Sequence, residues 1–327
     1  MNASSPTPKP PPAATASRSP AWHRSPGEDA SGVAMVLGCY LLWGTFPLYF
    51  HLLQAAGSVE IIGHRLVWTL VTCLGLTSLR RSWPALHAAL TAPRILGTLG
   101  LAGLLVSVNW LVYVYAVNSD RTADAALGYF INPLVTVVLA AVFLGERLRP
   151  AQGVAVGIAV VAIAVLVVAQ GSLPWISLSL AFSFGLYGLV KKRVGARVDA
   201  LTGLTVESGC MTPVALAYFA WLYTGGQGAL QGTTASGALA AGLMLAGPVT
   251  AVPLLLFAAG TRRVPLSIVG LSQYITPVMQ FLLAWAVFHE EISPARWIST
   301  ALVWVAVVVF VSDLLRQLAR RPHLGER

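Results

Sequence analysis

Three ionisable side chains fall inside long apolar runs of the sequence: His64, Arg65 and Glu207. A charge is costly to hold in hydrocarbon, so each counts by default as a candidate for function. Glu60 and His64 stand at i and i+4 near the expected outer end of their run, with Arg65 beside them, an outer-side ionisable cluster. Arg65 lies about 7.5 Å into its helix at 1.5 Å per residue, close enough to the end to snorkel outward as an anchor paired with Glu60 or Glu290. Glu207 lies at a similar depth from the opposite face, so a direct pair with Arg65 is not expected. It is the candidate for proton coupling or for binding a cationic group, against the plainer role of partner for a helix end.

Uncharged polar residues occupy the middle of other runs. Asn109 and Tyr113 share a helix face at i and i+4, and Asn132 and Thr276 directly precede Pro133 and Pro277. A proline within a helix removes one hydrogen bond and frees the carbonyl four residues earlier, here those of Tyr129 and Gln273. At membrane depth such a carbonyl is tolerated only against protein or a wet cavity. Two readings stand side by side: packing kinks, or a cavity drawing its hydrogen bonds from both helices. The cavity reading gives a solute-contacting set of Asn109, Tyr113, Tyr129, Asn132, Gln273, Tyr274 and Thr276. Trp43, Tyr49, Trp110, Phe184 and Tyr187 add aromatic walls that suit amphiphilic or aromatic solutes.

The chain contains ten apolar runs of spanning length to hold these residues, each about 20 residues for a hydrocarbon core of about 30 Å. They cover residues 32–50, 61–79, 95–117, 123–144, 150–169, 173–190, 201–224, 238–259, 265–288 and 294–315. The fourth run and its sequel, LGYFINPLVTVVLAAVFLGERLRPA at 127–151, return 144 residues later as LSQYITPVMQFLLAWAVFHEEISPA at 271–295. Phe130, Pro133, Glu146 and Pro150 recur as Tyr274, Pro277, Glu290 and Pro294, so the chain reads as two copies of one design. Lys and Arg gather in alternate connections and the two ends, 18 of 21 in all, which assigns those segments to the cytoplasm. Five helices per copy make the second enter the membrane opposite to the first, an inverted repeat of the kind transporters use. Gly153 and Gly157 on the fifth helix, and Gly97, Gly100 and Gly103 on the third, are expected to let helices approach closely.

The expected fold is therefore an all-α polytopic membrane protein of ten transmembrane helices. Residues 1–31, with seven prolines among the first 30, read as a disordered cytoplasmic tail. Residues 32–170 and 171–315 form the repeats, and 316–327 a basic tail. The composition, 56% hydrophobic and 10% charged, excludes a soluble domain, and the dispersed basic clusters orient helices instead of recruiting nucleic acid. Cys39, Cys73 and Cys210 have no paired spacing and imply neither disulfide nor metal. No HExxH, GxSxG or Walker A motif occurs, and no cofactor is expected.

The motifs in order identify a relationship. WGTFPLYF (43–50), EIIGHRLVW (60–68), NWLVYVYAVN (109–118), LGYFINPL (127–134), FLGERLR (143–149), GSLPWISLSLAFSFGLYGLVKK (171–192) and QYITP (273–277) closely resemble the RarD family of EamA-type permeases in the drug/metabolite transporter superfamily. The resemblance covers about residues 32–313 and leaves the proline-rich tail outside. It implies two EamA repeats, residence in a bacterial inner membrane, and permeation of a small solute by alternating access. It carries no substrate and no substrate residues.

The leading expectation is a secondary transporter, an exporter of a small metabolite or drug-like solute, whose halves rock about a site lined by helices one, three, four, six, eight and nine. Its partners are the solute and the lipid bilayer, with a homodimer left open. The rivals are a non-transporting sensor or assembly partner, and an intramembrane enzyme using His64 and Glu207. The opposite depths of those two residues count against the enzyme.

Overall fold

The computed structural model describes residues 26–145, 147–195, 197–231 and 235–320, with side chains given from Ala30 and for most residues thereafter. Their regular structure is entirely helical, with no strand among them. In order they form α1 (Pro26–Gly44), α2 (Phe46–His51), α3 (Ser58–Leu79), α4 (Trp83–Thr91), α5 (Pro93–Asn118), α6 (Thr122–Leu144) and α7 (Pro150–Gln170). The second half gives α8 (Trp175–Lys192), α9 (Ala200–Thr224), α10 (Gly237–Gly260), α11 (Leu266–Ser272), α12 (Ile275–Leu282) and α13 (Pro294–Arg320). A π-helical turn, Leu283–Val287, extends α12.

Local sequence sets many of the boundaries. Pro93 and Pro150 begin α5 and α7, where the missing N–H would have had no partner. Asp199 caps α9 by accepting from the amides of Leu201 and Thr202, and Ser236 caps α10 by accepting from Leu239. Gly145 and Gly171 close α6 and α7 at φ +67° and +65°, a left-handed conformation that favours glycine.

Eight helical stretches among the described residues are long and apolar enough to cross a membrane. The segments expected as the sixth and seventh spans are helical, as α8 and α9, but fall short in apolar content and are not among the eight. Their polar residues face inward: Ser177 and Ser183 on α8, and Thr202, Thr205, Glu207 and Ser208 on α9, are buried. Leu79, Val142, Val168 and Val214 are among many large apolar side chains left exposed, which suits a lipid-facing surface. Helix α1 starts at Pro26 and the first candidate span at Ala30, so both reach into the expected N-terminal tail; the rest of that tail lies outside the described residues, as does Glu146.

The main helix pairings correspond when the halves are exchanged. α3 packs on α9 and α7 on α13, each with its own counterpart, while α5 and α6 hold α8 as α10 and α12 hold α1. The crossings of α5 with α9 and of α10 with α3 are another matched pair. Each turns on a glycine at the same repeat position. A Cβ on Gly103 would lie 2.7 Å from the Glu207 carbonyl oxygen, and one on Gly247 2.2 Å from that of Trp68. Gly153, Gly157 and Gly97 have open space where a Cβ would go, so those expected contacts are absent and Gly103 alone among the five makes a tight one.

The two proline helices differ. α6 runs unbroken through Pro133, whereas its counterpart divides at Gln273 and Tyr274 into α11 and α12. One sequence motif thus takes two backbone forms.

Candidate functional site

Between the halves lies a cavity of about 550 Å³. Its closed end is made by Phe46, Arg65 and Trp110, all buried, and it reaches the surface at Gly195, Asp199 and Arg262, beside the basic connections after α8 and α10. Six of the seven expected solute-contacting residues line it: Asn109, Tyr113, Tyr129, Asn132, Gln273 and Thr276. Tyr274 does not, and packs instead beside Leu127, Phe130 and Ile131, because the break after Ser272 turns it away. The second and seventh spans, α3 and α9, join the walls through Arg65, Leu204 and Glu207, beyond the six helices expected.

Asn109 organises one wall. Its Nδ2 donates to the Leu180 carbonyl and to Ser183 Oγ, both at 3.0 Å, and its Oδ1 accepts from Tyr129 at 3.1 Å. This ties α5, α6 and α8 together around a side chain that is only 1% exposed. The rings of Tyr113 and Tyr129 lie 5.7 Å apart, and Phe184 bridges Tyr129 to Tyr187. On the opposite wall Thr276 donates to the Tyr40 carbonyl and Gln280 to that of Trp43, which fastens α12 to α1. Three buried oxygens facing the cavity, Tyr113 OH, Asn132 Oδ1 and Gln280 Oε1, have no hydrogen-bond partner among the described residues.

Arg65 is not an outer anchor. It is 3% exposed and turns inward, its Nε donating to Thr250 Oγ1 at 2.8 Å and its guanidinium carbon 3.8 Å from the Trp110 ring centre. Phe46 and Phe50 flank it at 5.6 and 5.4 Å. Neither expected partner is available, because Glu60 accepts from Tyr223 OH and the Ala229 amide, and Glu290 caps α6 through the amides of Thr122 and Ala123. The His64 ring packs tilted against Phe219, centroids 4.6 Å apart, and is not among the residues lining the cavity. The outer cluster is therefore divided, with Arg65 in the cavity and Glu60 and His64 in the packing.

Glu207 faces the cavity from α9, paired with Lys191 Nζ and accepting from Tyr187 OH at 3.3 Å. Lys191 reads in sequence as a loop charge, yet it lies four residues after Tyr187 and three after Gly188 and so continues the face that begins at Phe184. Gln280 was equally legible, one helical repeat beyond Gln273 and Thr276. At the mouth, burial pushes the Asp199 carboxyl up, but hydrogen bonds from the Thr202 hydroxyl and from the Thr202 and Leu201 amides prevail and hold it below its usual range.

Comparisons with known proteins agree with this architecture. The model of the EamA-like transporter family matches twice, over residues 30–168 and 173–312. Protein RarD of Streptomyces exfoliatus is 45% identical over 303 residues, 92% of this chain and 94% of the relative. An uncharacterized transporter of Vibrio cholerae serotype O1 is 39% identical over 290 residues, 88% of this chain and 95% of its own. A solved structure titled only as a crystal structure of a protein has a TM-score of 0.57 at 20% identity, covering 88% of this chain and 99% of its own, which supports the fold alone. With both halves matched by the family model and RarD similarity along nearly the whole length, the chain belongs to the EamA-like transporter family as a RarD-type, multi-pass membrane transporter of the drug/metabolite superfamily.

Proposed function

We propose that the chain is a secondary transporter that exports a small metabolite or drug-like solute across the bacterial inner membrane by alternating access, its ten helices forming two inverted five-helix halves with both termini in the cytoplasm. The observation that carries this reading is the cavity of about 550 Å³ between the halves, lined from both and reaching the surface at one end. That end adjoins the Arg- and Lys-rich connections, so the form described here is open to the cytoplasm.

The mechanism follows from the exchange of halves. If they run oppositely and make the same contacts, swapping their conformations yields the same protein with the cavity opened outward. The backbone difference between α6 and α11–α12 is the natural part to swap: the break at Gln273 and Tyr274 closes as one opens before Pro133. Glu207 is the proton-coupling group. Its protonation cancels the attraction that holds Lys191, freeing the Lys191 side chain at the mouth to move with the halves. A direct reaction on the solute is not part of this scheme.

Reconstitution in liposomes with a bacterial cell extract outside tests the function, with mass spectrometry of what accumulates within. Selective accumulation compared with protein-free vesicles is expected. Asn132→Ala and Gln273→Ala should reduce it, and Glu207→Gln should abolish its dependence on a pH gradient while leaving solute exchange. Indistinguishable contents with and without protein would instead favour a sensor or assembly partner.

A further inference from the structure

Arg65 carries its charge in the innermost part of the cavity, and no carboxylate among the described residues pairs with it. Its protein contacts are Thr250 and three aromatic rings. Rings over a desolvated guanidinium attract it through their negative faces. Desolvating an ion costs several kcal/mol even after the protein relaxes. The rings fix the orientation of the group without supplying a counter-charge.

The inverted design sharpens this. Arg65 and Glu207 stand the same seven steps from the first residues of α3 and α9, Ser58 and Ala200, and those helices pack on each other. Each is roughly 10 Å from its own end at 1.5 Å per residue, so they approach the cavity from opposite faces. Glu207 has Lys191 as counter-ion, and Arg65 has no equivalent. Tyr113 OH, buried and without a partner, supplies a second donor-capable group on the same cavity wall.

We propose that this site takes an organic monoanion, a carboxylate on an aromatic or apolar body, with the carboxylate on the guanidinium of Arg65 and the body against Trp110, Tyr113 and Tyr129. A planar carboxylate matches the fork of donors that Arg presents, which Lys does not reproduce. The aromatic walls accept the remainder without a further polar partner. This rests on the transport reading for its biological sense, but its test does not.

The test is binding to the purified full chain in detergent, followed by tryptophan fluorescence, with indole-free ligands in matched sets: phenylacetate, phenylacetamide and phenethylamine at millimolar concentration. Saturable binding of the acid is expected, weaker by about ten- to hundredfold for the amide and absent for the amine, the range for a charge-assisted hydrogen bond. Arg65→Gln should bring acid and amide to equal weakness, and Arg65→Lys should keep part of the preference. If Arg65→Gln does not fold, the wild-type ranking and the Lys variant decide. Equal binding of acid and amide, preference for the amine, or no binding of the acid overturns the proposal. Flux of an uncharged solute without acid binding would overturn the anion site alone, while acid binding without any flux would overturn the transport reading alone.

Discussion

At the scale of single residues, the polar groups divide into those that build the cavity and those that face it with bonding capacity to spare. Asn109 and Thr276 spend their donors on neighbouring helices, so their first effect is to hold the walls. Arg65, Tyr113, Asn132 and Gln280 retain capacity toward the interior. At the mouth, Asp199 is the residue whose contribution depends on pH. A depressed carboxyl pKa stabilises the fold above the ordinary carboxylate range and loses that contribution as pH falls through the folded-state value. Asp199→Ala should therefore lower stability by about 1 kcal/mol at neutral pH, as for a lost helix cap, and the gap to wild type should narrow on acidification. Thermal unfolding in detergent at several pH values measures this. A gap that widens in acid would show that Asp199 does not act through its charged form.

At the scale of helices, the close crossings and the broken helix carry the specific claims. A methyl group at Gly247 collides with the backbone of Trp68, which has no rotamer to yield, so Gly247→Ala should destabilise by about 1–3 kcal/mol, the cost of overpacking. Gly153→Ala, in open space within α7, should be neutral or slightly stabilising because alanine favours helix. Equal unfolding temperatures for the two variants would contradict the assignment of the crossing. Pro277→Ala restores the N–H that Gln273 lacks as a partner and should favour a continuous helix, raising stability while slowing transport. A variant that transports at the wild-type rate would remove the break from the mechanism. Much of this layer was readable in advance. The repeat of 25 residues gave the matched helices, and the two mid-run prolines located the cavity-facing segments. Gly153 and Gly157 misled because glycine spacing records where a helix can be approached and not whether a neighbour is there. The difference between α6 and α11–α12 was not legible either, since the same motif serves both and only the conformational state of the whole distinguishes them.

At the scale of the whole molecule, hydropathy and charge conveyed the class, and packing conveyed the path. α8 and α9 are less apolar than the eight candidate spans because their polar residues face the interior, so the feature that weakens their hydropathy is the one that makes them walls. For Arg65 the sequence left function and anchoring side by side, because its distance along the helix is short; its direction, set by Trp110 and Thr250, is not written in sequence spacing. Two halves with exchangeable contacts and one cavity between them lead to the central claim, that the cavity is reached from both sides of the membrane in turn. The most direct measurement places a single cysteine in the cavity wall, Asn132→Cys, after replacing Cys39, Cys73 and Cys210 by alanine. The protein is then labelled with a membrane-impermeant maleimide in right-side-out and inside-out vesicles. Alternating access predicts labelling from each side, with prior reaction on one side blocking reaction on the other. Labelling from the cytoplasmic side alone would contradict it and leave a binding pocket without a passage.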